Sequence, residues 1–440
     1  MTISEWLRVA AVLAVLFGGL PVIRFLVTRS GAGPEVSRKA VHVAMGLICA
    51  AFPWIFDRPL PVWILAGLAT VPLIILRMVP SLKAGVGATL HGISRPSYGE
   101  VLFAPSVAAV FHMSHGEPLL HLIPVTILAI ADAAGALAGT RWGRLRYGCG
   151  EGFKTIEGSA AFMITAFLAV FLPLVVIGGF DPWKALWIGL TMGLLVMMAE
   201  GLADRGFDNL IIPLGSFFVL ARLIPLETSP LVVRFVVASG LLALVLSGSR
   251  WSTLSGGALL GCSLLGYGCA IMADFRFALP AVGIFICHLV TTRKNRFVGV
   301  FDHRLDAVLS HAIGCLPWVV LVERKIISDS MGLLGVSIAM ASQLGILDMA
   351  TYWWIHQRPS PIWRSMAKGW AFAALPGLVW FWPDYSLLLL PLAFAMVTTA
   401  IAVWVFRSVK PQDYFHPTRL WLLKGCVALL SSIPALLLPS

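Results

Sequence analysis

The chain has 440 residues, 59% of them hydrophobic and only 12% charged, with a net charge of +11 and a mean hydropathy of +0.89. That balance excludes a soluble globular domain. It predicts an all-α polytopic integral membrane protein with about 14–16 transmembrane helices, with membrane lipids and not nucleic acid as its surroundings.

In chain order, apolar runs long enough to cross a bilayer fall near 6–27, 40–56, 60–76, 100–114, 118–140, 159–179, 183–200, 208–225, 230–247, 254–272, 276–292, 306–322, 331–352, 366–382, 385–406 and 418–438. The connecting loops are short, so no soluble domain is expected. The first run carries Arg8 and Arg24 and lacks a small-residue cleavage site, which reads as a retained helix and not a signal peptide. Placing residues 28–39 in the cytoplasm and alternating sides puts most Lys and Arg on the cytoplasmic face, with both termini outside. The seven cysteines are scattered, mostly within spans, and show neither metal-ligand spacing nor a disulfide framework. No short-period repeat or inverted repeat is visible. Polar clusters crowd residues 35–210, which suggests one domain over 1–228 and a second over 229–440.

Four polar clusters punctuate the first half. Ser37-Arg38-Lys39 with His42 and Gly46 opens the second span, with Arg38 and His42 on one helix face; a basic snorkelling anchor is the plain alternative. Arg95-Pro-Ser97-Tyr-Gly99-Glu100 precedes the fourth span, where a loop ion pair would also account for it. The richest stretch runs from Asp132 to Ser159. Asp132 is placed about one turn from the end of its span, where an acid is rare and points to function. Gly135, Gly139 and Gly143 recur every four residues, a spacing that a close helix contact would explain for the first two. Lys154, Thr155, Glu157, Gly158 and Ser159 then read as a turn whose backbone N–H groups, beside Lys154, form an anion-binding corner. The Walker spacing is absent. Finally, Glu200, Asp204 and Asp208, with Asn209 and Pro213, put acids in a loop at the membrane edge. Magnesium is usually held by one or two carboxylates together with phosphate oxygens; a solvated acidic loop is the alternative. All four clusters fall on the predicted cytoplasmic face, where nucleoside triphosphates are found.

The ordered blocks R-K-x-x-H with Gly46, R-x-S-x-G-E, D-x-x-G-x-x-x-G-x-x-x-G followed by K-T-I-E-G-S, and E followed by D-N-L-x-x-P resemble the polyprenol kinase family (phytol, farnesol and dolichol kinases) over roughly residues 35–225. The third block is also similar to the CTP-using phosphatidate cytidylyltransferases. Gly135 departs from the family's usual Ala. The resemblance implies an integral-membrane phosphotransferase moving the γ-phosphoryl group of CTP, or of another nucleotide such as ATP, to a long-chain isoprenoid alcohol. Asp132, Glu200 and Asp208 are then candidates for magnesium ligands or for the base that orients the hydroxyl. Arg38, Lys39 and Lys154 would neutralise phosphate oxygens. Arg95, Glu100, Gly139, Gly143, Thr155, Glu157, Gly158, Ser159 and Asn209 would shape the nucleotide site, and His42 would act as base or supporting donor.

Alternatives at this stage are a diacylglycerol kinase or cytidylyltransferase built on the same site, and a secondary transporter of an anionic solute. Clustering at one surface, away from the bilayer midplane, argues for interfacial chemistry over transport. Beyond residue 229, Ser255–Gly261, Arg304-Leu-Asp306 and a broken acidic motif around Asp348 faintly resemble the phytyl-phosphate kinases, without that family's downstream glycine-rich lysine motif. A noncatalytic or altered lipid-binding domain is the main expectation there.

Overall fold

The computed structural model describes residues 1–29, 31, 33–78, 98–150, 152–295, 303–378, 385–407 and 418–437. Among these the fold is all-α apart from one two-stranded hairpin. Among the described residues nine helices are long and apolar enough to cross a membrane, and four more apolar helices are shorter. The difference from the expected count lies in length: several predicted spans form helices too short or too polar to cross alone, such as Pro34–Ala50 and Asp208–Leu223.

The chain divides into two compact units, Met1–Ser239 and Gly240–Ser440. The first contains α1 (Ile3–Arg29), α2 (Pro34–Ala50), α3 (Phe52–Ile55), α4 (Pro59–Met78), α5 (Gly99–Met113) and α6 (Pro118–Trp142). After these come β1 (Arg146–Cys149), β2 (Gly152–Thr155), α7 (Ile156–Val176), α8 (Pro182–Leu202) and α9 (Asp208–Leu223). The helix α10 (Thr228–Ser247) carries the division between the units.

Helix starts follow local chemistry. Pro34, Pro118 and Pro182 take the first helical position, where the missing N–H is not needed. Thr155 and Asp181 cap α7 and α8 by accepting from the N–H of Gly158 and Lys184. The outward face of α7 carries Ile164, Leu168, Leu172 and Val176 at four-residue spacing, all exposed, while Phe162, Ala166 and Val170 are buried. A helix apolar on its inner and its outer face needs hydrocarbon outside it. The chain is a multi-pass membrane protein.

Two features of the first unit position polar groups. A π turn over Ile127–Ala131 interrupts α6 just before Asp132, and such single wide turns recur at functional sites. The glycine row packs α6 against α7. A Cβ at Gly139 would meet Thr155 Oγ1 at 2.9 Å and Gly158 Cα at 3.7 Å, and one at Gly135 would meet Phe162 Cβ at 3.1 Å. The row therefore continues the helix to Trp142, and Asp132 begins its last 11 residues, about three turns from the end and not one.

In the second unit, α11 (Gly256–Met272), α12 (Leu279–Asn295), α13 (Leu305–Glu323), α14 (Asp329–His356), α15 (Ile362–Gly369), α16 (Tyr385–Arg407) and α17 (Thr418–Ser431) pack around Phe277, Trp318, Met340 and Ala373. Nearly all of α14 is buried.

Candidate active site

The site grows from α2 and α6. Lys39 and His42, three residues apart on α2, share a face and meet the same carboxylate oxygen. Lys39 Nζ donates to Asp132 Oδ2 at 2.6 Å, and His42 Nε2 lies 3.5 Å from that atom. His42 Nε2 also bonds Leu128 O, a carbonyl of the π turn, at 3.2 Å. A carbonyl only accepts, so Nε2 carries the proton and His42 is a donor there. Arg38, expected to share a face with His42, turns outward instead and pairs with Glu35 at 2.6 Å. It remains within electrostatic reach of Asp132 and Asp208. Ser37 is buried, and its Oγ has no hydrogen-bond partner among the described residues.

The second part is the hairpin. The expected turn at Lys154–Ser159 is a strand running into a helix: Lys154 and Thr155 end β2, and α7 begins at Ile156. Lys154 crosses to α8, donating to Glu200 Oε1 at 2.5 Å and to the Glu200 carbonyl. Burial works against the lysine charge, but the Glu200 carboxylate outweighs it and holds the pKa above the ordinary lysine value. The anion-binding corner is partly spent on protein. Ile156 N bonds Leu145 O, Gly158 N bonds Thr155 Oγ1, and Glu157 reaches back to Leu145 N. Ser159 Oγ is hydrogen-bonded to Tyr147 OH at 2.7 Å. The space beside Gly139, Gly143 and Gly158 is likewise filled by protein atoms.

The third part is the loop before α9. The hairpin turn at Gly150 has φ of +54°, and a Cβ there would run into the Asp204 carboxylate, so only glycine fits. Cys149 Sγ donates to Ala203 O at 3.3 Å, while burial raises its thiol pKa and keeps it protonated. Tyr98 N bonds Arg205 O, and Ser106 Oγ bonds Asn209 O at 2.6 Å. These contacts tie β1, α5 and α9 around Asp208, whose Oδ1 accepts from Asn209 N.

Asp208 acts electrostatically on Asp132, Lys154 and Lys39, and Glu200 on Asp132 and Asp208. Residues from α2, α6, β2, α8 and α9 therefore share one partly buried polar centre. Glu100 lies apart from these contacts, exposed in the first turn of α5, and Arg95 falls outside the described residues. Tyr147, Cys149 and the partnership of each lysine escaped sequence reading, because nothing in a linear pattern marks a contact made across tens of residues.

Among the described residues no three His, Cys, Asp or Glu side chains stand close enough to hold a metal by themselves. Magnesium asks for less, one or two carboxylates completed by phosphate oxygens and water. Asp132 meets Lys39 and His42 through Oδ2, and Asp208 meets Asn209 through Oδ1, so each presents a second oxygen. Glu200 likewise meets Lys154 through Oε1 alone. Each of the three acids therefore keeps one oxygen for such an ion.

A phytol kinase of Synechocystis sp. is 28% identical to this chain over 224 residues, spanning 50% of this chain and 92% of that relative. This supports the resemblance to the polyprenol and phytol kinases carried by the four motif blocks. No protein-family model matches the chain, and no solved structure matches it significantly.

Proposed function

We propose that the first unit is a lipid-alcohol kinase that transfers the γ-phosphoryl group of CTP, or of ATP, to the hydroxyl of a long-chain isoprenoid alcohol. The observation that carries this reading is the meeting of two partly buried lysine–carboxylate pairs, Lys39–Asp132 and Lys154–Glu200, with Asp208. The likeness to a phytol kinase adds to it. Membrane spans suit an acceptor whose tail lies in hydrocarbon and whose hydroxyl sits at the interface.

Phosphoryl transfer proceeds through a loose transition state, so it needs positioning and positive charge more than a strong base. Lys39 and Lys154 provide charges at fixed places, each held by a carboxylate. Magnesium, when bound by one or two of Asp132, Glu200 and Asp208, would offset charge on the nucleotide phosphates. His42 holds Asp132 in orientation from one side and Lys39 from the other. Arg38, exposed and paired with Glu35, would meet an outer phosphate in this reading. Thr155, Glu157 and Ser159 fix the hairpin and helix start that carry Lys154. The site faces the cytoplasm in this reading, as the distribution of Lys and Arg favours.

The test is to incubate membranes containing the protein with γ-labelled CTP or ATP and phytol, farnesol, dolichol or diacylglycerol. Label in an isoprenoid alcohol is the expected result. Label in none of the lipids with either nucleotide retires the proposal.

A further inference from the structure

The hairpin between α6 and α7 has two unlike faces. Tyr147, Cys149 and Lys154 turn inward to Ser159, Ala203 and Glu200. Strand residues alternate sides, and Arg146 and Phe153 take the other face, with the Arg146 guanidinium 4.3 Å from the centre of the Phe153 ring. The residues flanking the strands are open as well. Trp142, Leu145, Phe153 and Ile156 are each more than half exposed, and Arg141 and Arg144 are exposed beside them. Arg141 lies 5.4 Å from the centre of the Trp142 ring.

The outer stripe of α7 fixes the depth of this surface. It runs at four-residue spacing from Val176 through Leu172, Leu168, Ile164 and Ala160 to Ile156, exposed at every step. The 21 residues of α7 span about 30 Å at 1.5 Å per residue, which is the thickness of the hydrocarbon core. With that stripe in acyl chains, Ile156 stands at the hydrocarbon edge and Phe153, three residues earlier, stands just beyond it. Aromatic rings settle at that level of a bilayer, and an arginine there keeps its stem in apolar surroundings and its charge among headgroups.

The charge says which headgroups. Among the described residues Arg141, Arg144 and Arg146 form no ion pair with an acid. Glu157 lies within electrostatic reach of Arg144, and Glu151 falls outside the described residues. Three arginines still exceed those two acids. We infer that the outer face of the hairpin binds anionic phospholipid headgroups, with Phe153 and Trp142 seated at the edge of the acyl layer and the three arginines on lipid phosphates. Guanidinium groups match a phosphate through paired N–H donors. A zwitterionic headgroup brings its own cation to the same place and cancels much of the attraction, whereas an anionic one does not. This binding does not depend on the phosphoryl transfer proposed above.

The experiment places the photoreactive p-benzoylphenylalanine at Phe153 in the full chain, reconstituted in nanodiscs of phosphatidylglycerol and phosphatidylcholine in equal amounts with identical acyl chains. Mass spectrometry of the adducts gives the ratio of the two lipids. Phosphatidylglycerol should be captured about fivefold over phosphatidylcholine, and high salt should bring the ratio towards one. Arg141→Gln/Arg144→Gln/Arg146→Gln should do the same at low salt. The same probe at Leu172, deep in the α7 stripe, should capture both lipids equally in the otherwise unaltered chain. Excess inorganic phosphate should leave the preference at Phe153 intact. Equal capture at Phe153, no lipid adduct there, or a crosslink to a second copy of the chain in place of lipid overturns the inference. So does loss of the preference to inorganic phosphate at constant ionic strength, which would assign the arginines to a soluble anion. The readout is a lipid adduct and not turnover, so an inactive protein leaves the test intact.

Discussion

Lys39 Nζ lies 2.6 Å from Asp132 Oδ2, and the two side chains are only 6% and 12% exposed. Each charge is out of water, and each depends on the other to remain there. The pair also joins α2 to α6 across 93 residues of sequence.

Breaking such a pair from one side costs more than removing it whole. Lys39→Met alone should destabilise the protein by about 3–5 kcal/mol, read as thermal unfolding in detergent. Lys39→Met/Asp132→Leu should recover most of that loss while remaining inactive. A double variant as unstable as the single one would show that the pair is not an isolated unit.

Lys154→Met should lower turnover by about 100-fold, as expected when a charge facing a developing phosphate charge is lost. The raised pKa of Lys154 fixes the sign of its pH dependence. A folded value above 10.5 means that the native state holds the proton more tightly than the unfolded chain does. Its stabilisation is therefore complete below 10.5 and is lost only as pH climbs through the folded value. No alkaline loss of activity below about pH 10 should vanish in the Lys154→Met variant; a limb that does would assign Lys154 a depressed value instead.

Gly139→Ala and Gly158→Ala each place a methyl group against Thr155 Oγ1, at 2.9 Å in both cases. Overpacking of this kind costs about 1–3 kcal/mol. Gly215→Ala, with nothing within 4 Å of its added Cβ, is the control and should be neutral or stabilising in a helix. Equal melting temperatures for all three would remove the packing role of the glycine row.

Thr155 caps α7 through Oγ1. Thr155→Ala should cost about 0.5–2 kcal/mol, and Thr155→Ser should restore most of it. If Thr155→Ala leaves the unfolding temperature unchanged but reduces turnover, and Thr155→Ser restores turnover, the hydroxyl belongs to the substrate and not to the cap.

Much of the first unit was legible in sequence because membrane helices and interfacial acids leave strong one-dimensional signals. The runs that became α6, α7 and α8 stand out by apolar length, and Asp132, Lys154, Glu200 and Asp208 by their rarity beside such runs. Their partners were not legible. Adjacency groups Lys39 with Arg38, yet one turns in to Asp132 and the other out to Glu35. Helix phase decides that, and a run of two basic residues does not state its phase. Gly143 reads in sequence as part of the nucleotide site, and the chain does not state that Gly139 O and Thr155 pack against it. In the second unit, Asp348 looked like the remnant of a broken motif because its partner, Lys368, sits 20 residues away on another helix.

The wide turn at Ile127–Ala131 sets the bearing of everything after it on the same rod. Each residue added to or taken from a helix swings the downstream portion by about 100°. Deleting one residue within Ile127–Ala131 would give a more regular helix, yet it would point Asp132 away from Lys39 and His42. It would also carry the Gly135 and Gly139 face off α7. The irregular turn acts as a phase shifter: the core-packed first half of α6 and its chemical half each keep their own correct azimuth only because the helix is imperfect between them.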